Sequence, residues 1–206
     1  MKIIKRFILG PLRTNCYLIN ANDRICLIDA GVNPQKIIDY CVENNLIIEY
    51  ILLTHTHYDH IGGLNDIKAI FPDAQVIVGS KEQSFLRDPE SNLSILDDEY
   101  YQYHGQYQVY EQYNYEHLGF SIFHISGHSL DSICLYFKKD HTVFSGDTLF
   151  RHSIGRSDLI YGNEFLLEEG IRNHLYTLPG NTKVYPGHGF STTIKEEKTN
   201  NLVLRG

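Results

Sequence analysis

Apolar residues along this chain gather into short runs, each closed by a turn or a polar cluster. Residues 15–20 (NCYLIN) and 24–31 (RICLIDAG) predict neighbouring strands joined by the polar turn 20–23. A helix is expected next, with Asn33 as its N-cap, Pro34 at its first position, and Ile37, Ile38, Cys41 and Val42 at helical spacing. Residues 49–55 (EYILLTH) read as a buried strand. A second helix is expected over 63–71, with Leu64, Ile67, Ile70 and Phe71 on one face and Pro72 as its stop. Residues 74–80 form another predicted strand.

The second half repeats the rhythm. Residues 120–126, 132–137 and 142–147 predict strands, the last two joined by the charged turn KKDH. A helix over 164–177 starts at Asn163 and buries Leu167, Ile171 and Leu175, with Leu178 before Pro179. Residues 182–189 (TKVYPGHG) make a last strand ending at a glycine-flanked histidine. Strand groups alternating with helices predict two sheets with helices on their outer faces, a layered α/β architecture. Residues 100–115 break the rhythm with seven tyrosines in sixteen positions. They predict either a surface hairpin with half-buried rings or an aromatic wall over a pocket.

Composition narrows the function. A chain of 206 residues, 42% hydrophobic and 21% charged, is expected to form a single domain spanning 1–206. Its net charge of −7 argues against a nucleic-acid partner, which needs a basic face. No run of apolar residues is long enough to span a membrane, and the opening apolar run is too short for a signal peptide. The four cysteines form no CxxC pair and sit in apolar runs, as reduced core cysteines of a cytoplasmic protein do.

The chemistry is concentrated at residues 54–60, THTHYDH, which follow a buried strand. His55 and His57 are two apart, so extended backbone points both to one side. Asp59 and His60 follow at the turn into the next helix. Imidazole and carboxylate together suit zinc or non-haem iron. Three later residues share the context of an apolar strand end with glycine beside it: His128, Asp147 and His188. Together these seven donors match two metal ions sharing one bridging carboxylate, whereas one ion would leave about half of them without a role. His104, His117, His124, His141, His152 and His174 lack that context and read as surface or core residues. His152 is the one of these near enough to Asp147 to line a pocket.

The run His55, His57, Asp59, His60, followed by His128, Asp147 and His188, resembles the metallo-β-lactamase superfamily. The likeness extends over LIDAG, SGDTLF, GRSD and YPGHG, and GDTLFRHSIGRSD with YPGHGFSTTIKEEK is similar to the glyoxalase II-like (hydroxyacylglutathione hydrolase-like) branch. It implies a four-layer αβ/βα sandwich. It also implies His55, His57 and His128 on a first metal, Asp59, His60 and His188 on a second, and Asp147 bridging. Asp29 would support the ligands rather than bind metal. The resemblance further implies a binuclear hydrolase of a thioester or related acyl ester with metal-activated hydroxide as nucleophile. The expected ions are two divalent metals, zinc with iron or manganese as alternatives. Asp59 would serve as proton acceptor, and Arg156 would pair with a substrate carboxylate or else with Asp158. The substrate would be a small-molecule thioester, with no membrane partner. The chain ends about where the helical extension of longer glyoxalase II enzymes begins. SGHSLDS (126–132) and TNNLVL (199–204) depart from the family pattern, which bears on glutathione as carrier. An iron-dependent persulfide dioxygenase is the competing reading, with one iron on His55 or His57, His128 and Asp147.

Overall fold

In the computed structural model, which describes residues 1–112 and 115–204, the chain divides into two compact units, Met1–Leu118 and Gly119–Gly206. Each has its own sheet.

The first unit holds six strands in the order β1 to β6: β1 (Lys2–Leu9), β2 (Thr14–Ala21), β3 (Arg24–Ile28), β4 (Tyr50–Leu52), β5 (Gln75–Val78) and β6 (Gln108–Val109). β1, β2 and β3 are antiparallel neighbours, whereas β3, β4, β5 and β6 run parallel. The β2–β3 turn is two residues long, and both Asn22 and Asp23 adopt positive φ, the conformation that matches hairpin twist. Helices α1 (Gln35–Glu43), α2 (Tyr58–Ile61) and α3 (Leu64–Ile70) lie in the connections. Ile37, Ile38, Cys41, Leu64 and Ile67 pack with Leu18, Leu27, Ile51, Val76 and Val78 in one core. Ile19, Ile28, Leu52 and Ile77 are buried as well. Strands covered on both faces read as continuous apolar runs, which is what made them visible.

The second unit holds β7 (Ser121–Ile125), β8 (Ser132–Phe137), β9 (Thr142–Gly146), β10 (Leu149–Phe150), β11 (Ser153–Ile154), β12 (Lys183–Pro186) and β13 (Thr192–Thr193). The main sheet runs β13-β12-β9-β8-β7, with β9 and β12 parallel and the other pairs antiparallel; β10 and β11 form a separate ribbon. Helix α4 (Glu164–Gly170) is capped by Asn163, whose side chain accepts from the Leu166 N–H, and continues as a π-turn to Leu175. It buries Leu167, Ile171 and Leu175 as expected. Helix α5 (Ile194–Asn200) closes the described chain.

Several expectations change. Asn33 does not cap α1: its φ is +59°, the left-handed region, and Pro34 takes the cap position without a side-chain hydrogen bond. Val42 and Ile70 face outward at 59% and 50% exposure, because the buried stripe of each short helix is narrower than the apolar run. The tyrosine-rich segment is not a hairpin. Its two-residue strand β6 adds parallel to β5, and Tyr103, Tyr110 and Tyr115 are buried while Tyr100 stays exposed. Tyr113 lies outside the described residues. Among the described residues, no helix is long and apolar enough to cross a membrane.

Candidate metal centre

Topology decides where the donors lie. In the first unit β3, β4 and β5 are parallel, so their carboxyl ends share one edge. Asp29 follows β3, residues 54–60 follow β4, and Glu82 follows β5. β2 is antiparallel to β3 and starts at this edge with Thr14. In open α/β sheets this edge is where sites are built.

His55, His57 and His60 are buried there with ring centroids 4.6 Å (His55–His57) and 4.1 Å (His55–His60) apart. Asp29 sits beneath them at φ +59°. Its Oδ1 accepts from the Thr54 N–H at 2.8 Å, and its Oδ2 accepts from the Thr54 hydroxyl and from His60 Nδ1, both at 2.8 Å. With its proton directed to Asp29, the Thr54 hydroxyl accepts from His55 Nδ1 at 3.1 Å. Both imidazoles are thereby set in the Nδ1–H tautomer, with the Nε2 lone pair outward. His60 Nε2 lies 3.4 Å from Asp59 Oδ2. The Thr14 hydroxyl donates to that same Asp59 oxygen at 2.6 Å. Between the histidines, Thr56 is tied down by Glu82, whose Oε2 accepts from both the Thr56 N–H and hydroxyl at 2.9 Å. Glu82 is 1% exposed.

The second unit repeats the logic. β7 and β9 flank the antiparallel β8 and so run the same way, and β12 is parallel to β9 with Pro186 opposite Gly146. His128, Asp147 and His188 therefore leave one edge together. Asp147 Oδ2 lies 3.7 Å from His128 Nε2 and 3.3 Å from His188 Nε2, between the two rings. His128 Nδ1 donates to the Arg156 carbonyl at 2.9 Å, which again leaves Nε2 as the acceptor nitrogen. Gly155 makes this approach possible: a Cβ there would stand 1.9 Å from the Asp147 carbonyl oxygen and 3.1 Å from His128 Nδ1.

His60 Nε2 and His128 Nε2 face carboxylate oxygens at 3.4 and 3.7 Å while each Nδ1 is engaged from behind, the arrangement in which a neutral imidazole and a carboxylate can ligate one divalent cation. Imidazoles and carboxylates gathered in each unit suit divalent-metal ligation, and Asp147 stands between two imidazoles.

The seven residues expected from sequence to bind metal all lie at these two sheet edges; sequence reasoning gave no role to Thr14, Thr54, Glu82 and the Arg156 carbonyl, which hydrogen-bond to them or to their neighbours. Thr14 lies within GPLRTNCYLI and Glu82 follows an apolar strand, but neither pattern marks a side chain as supporting a ligand. The Arg156 guanidinium forms a two-pronged pair with exposed Asp158, at 2.7 and 2.9 Å. That pairing holds the Asp158 carboxyl down at about 2, well below the ordinary carboxylate range.

Two sheets whose carboxyl edges carry imidazoles beside carboxylates define a candidate metal-binding protein. Residues 9–189 match the Metallo-beta-lactamase superfamily. The chain belongs to that superfamily and has its α/β fold. It is similar over 98% of its length to a probable metallo-hydrolase of Streptococcus pyogenes, at 39% identity and 89% of that protein. It is 30% identical to the hydroxyacylglutathione hydrolase GloC of Haemophilus influenzae, with 92% of each covered. Among solved structures, the BLEG-1 B3 metallo-β-lactamase shares 34% identity and superimposes at a TM-score of 0.88, over 98% of this chain and 99% of that one. TTHA1623, in a di-iron-bound form, follows at 30% identity and 0.86, over 97% and 99%.

Proposed function

We propose that this chain is a binuclear hydrolase of acyl thioesters, in which His55, His57 and His128 hold one divalent ion, Asp59, His60 and His188 the other, and Asp147 bridges them. The supporting observation is that the Nε2 atoms of His60 and His128 face carboxylate oxygens while the Nδ1 atoms of His55, His60 and His128 are engaged from behind. Similarity to a hydroxyacylglutathione hydrolase across 92% of the chain supports the thioester class. Zinc is the ion we assign, and four buried free thiols fit a cytoplasmic setting.

When bound, such a pair of ions lowers the pKa of water toward neutrality and polarises an acyl carbonyl. The chain's own residues do the rest. Asp29 and Thr54 hold His60 and His55 in the tautomer a ligand needs, and the Arg156 carbonyl does so for His128. Thr14 occupies Asp59 Oδ2, which fixes the carboxylate that accepts the proton of the attacking water. Arg156 contributes its carbonyl to this machinery while its guanidinium stays with Asp158.

The test is metal analysis of purified protein coupled to a thioester panel including S-D-lactoylglutathione and coenzyme A esters. Two ions per chain with thioester turnover is the expected result. One iron per chain with oxygen uptake on glutathione persulfide overturns it in favour of the dioxygenase. Two ions with no turnover of any thioester overturns the substrate class alone.

A further inference from the structure

The rim beyond His188 carries side chains that the proposed chemistry leaves unused. Gly189, at φ +75°, has nothing within 4 Å of where a Cβ would stand, and Phe190 is 69% exposed. Phe150 meets the His188 ring edge-on, with centroids 6.1 Å apart. These residues, with Arg151 and His152, line a hollow of about 420 Å³. A second hollow of about 420 Å³ continues from Arg151 past Lys183, Tyr185, Ser191, Thr193 and Glu196. Arg151 belongs to both. The groove is therefore aromatic beside a metal-ligating histidine and cationic further out.

Its charges are arranged for a ligand. Among the described residues, neither Arg151 nor Lys183 has a carboxylate within ion-pair distance. The one acid in the groove, Glu196, is committed to His152 Nε2 at 2.8 Å and to the Asn200 amide at 3.0 Å. Two cations lining one groove with the hydroxyls of Ser191, Thr192 and Thr193, and with Glu196 shared between Arg151 and its closer partners, suit a carboxylate or phosphate. The exposed Phe190 ring is an apolar surface that a ligand's alkyl segment would cover. The span from aromatic to cationic matches a thiol carrier with an apolar linker and an anionic end.

We propose that this groove binds the anionic end of the thiol carrier, with Arg151 and Lys183 as its cationic contacts and Phe150 and Phe190 against the linker. The inference rests on the thioesterase reading for the carrier's identity and on the groove alone for its charge. Pairing at an open rim is worth about a factor of two to ten in affinity.

Two measurements test it. Calorimetry on metal-loaded protein would follow binding of the free carriers, glutathione for a carboxylate end and coenzyme A for a phosphate end. At least one should bind to the wild type, with an affinity that falls as salt rises. The double variant Arg151→Gln/Lys183→Gln should weaken it about five- to tenfold. The carrier that binds identifies carboxylate or phosphate. Binding of neither carrier, or equal binding to wild type and variant, overturns the groove whatever the enzyme hydrolyses. In turnover, the kcat/KM ratio of a charged carrier's ester to an uncharged N-acetylcysteamine ester should fall by a similar factor in the variant, through KM. An unchanged ratio overturns the groove and leaves the thioesterase reading standing. Absence of all thioester turnover overturns that reading, while the calorimetry still decides the groove.

Discussion

Replacing Glu82 tests how far the metal centre depends on residues that are not ligands. Glu82 Oε2 takes two hydrogen bonds from Thr56, the residue between His55 and His57. A hydrogen bond to a charged acceptor contributes about 1.5–3 kcal/mol, and a buried donor left without one costs about 1–3 kcal/mol. Glu82→Ala removes both bonds and strands a buried N–H, so the metal-free chain should lose about 3–5 kcal/mol against urea. Glu82→Gln keeps an oxygen acceptor and should lose only about 1–2 kcal/mol. A structural loss alone would end there. Because Thr56 sets the course of the backbone between two ligands, metal affinity should also fall about 10- to 100-fold in Glu82→Ala, measured by competition with a chromophoric chelator, and partly recover in Glu82→Gln. Wild-type metal affinity in a clearly destabilised Glu82→Ala would refute the positioning role; wild-type stability would refute the burial argument beneath it.

Thr14→Val conserves shape but removes the hydroxyl that holds Asp59 Oδ2 at 2.6 Å. The ion proposed at Asp59 should dissociate about 10- to 100-fold more readily, with recovery in Thr14→Ser, as read by metal stoichiometry under limiting chelator. Full chelation should lower the Tm, because an ion at a thousand times its Kd contributes about 4 kcal/mol; an unchanged Tm would count against metal in the folded chain. Burial raises the Cys41 thiol to about 11 and those of Cys26 and Cys134 to about 12, so thiol reagents at pH 8 should label them only after unfolding. Rapid labelling of the native chain would contradict that burial.

The apolar runs that became β2, β8 and β9 were legible because nearly every residue of these strands is buried; β7 and β12, partly exposed, were legible from short apolar runs closed by glycine turns. The helix at Asn163 was legible because an asparagine cap precedes a clear helical stripe. Strand β1 was not: its burial pattern alternates irregularly and its sequence is broken by Lys5 and Arg6, so it reads as a basic N-terminal stretch until β2 pairs with it. The same limit applies to Tyr103 and Tyr110. A tyrosine-rich segment looks exposed when its neighbours are polar, and only packing shows that these rings are buried.

For the centre itself, sequence alone singled out the seven candidate donors, since metal chemistry demands particular residue types and strand ends with glycine announce where they turn. Tertiary structure decided which nitrogen of His55, His60 and His128 is offered, because that depends on what stands behind the ring: Asp29 and Thr54 in one unit, the Arg156 carbonyl in the other. It also engaged Arg156 with Asp158 and, among the described residues, left Arg151 and Lys183 without such a partner. A hydrogen-bond partner distant along the chain has no signature in local spacing, so the protonation pattern of the centre and the charge of its rim emerge only when the strands assemble.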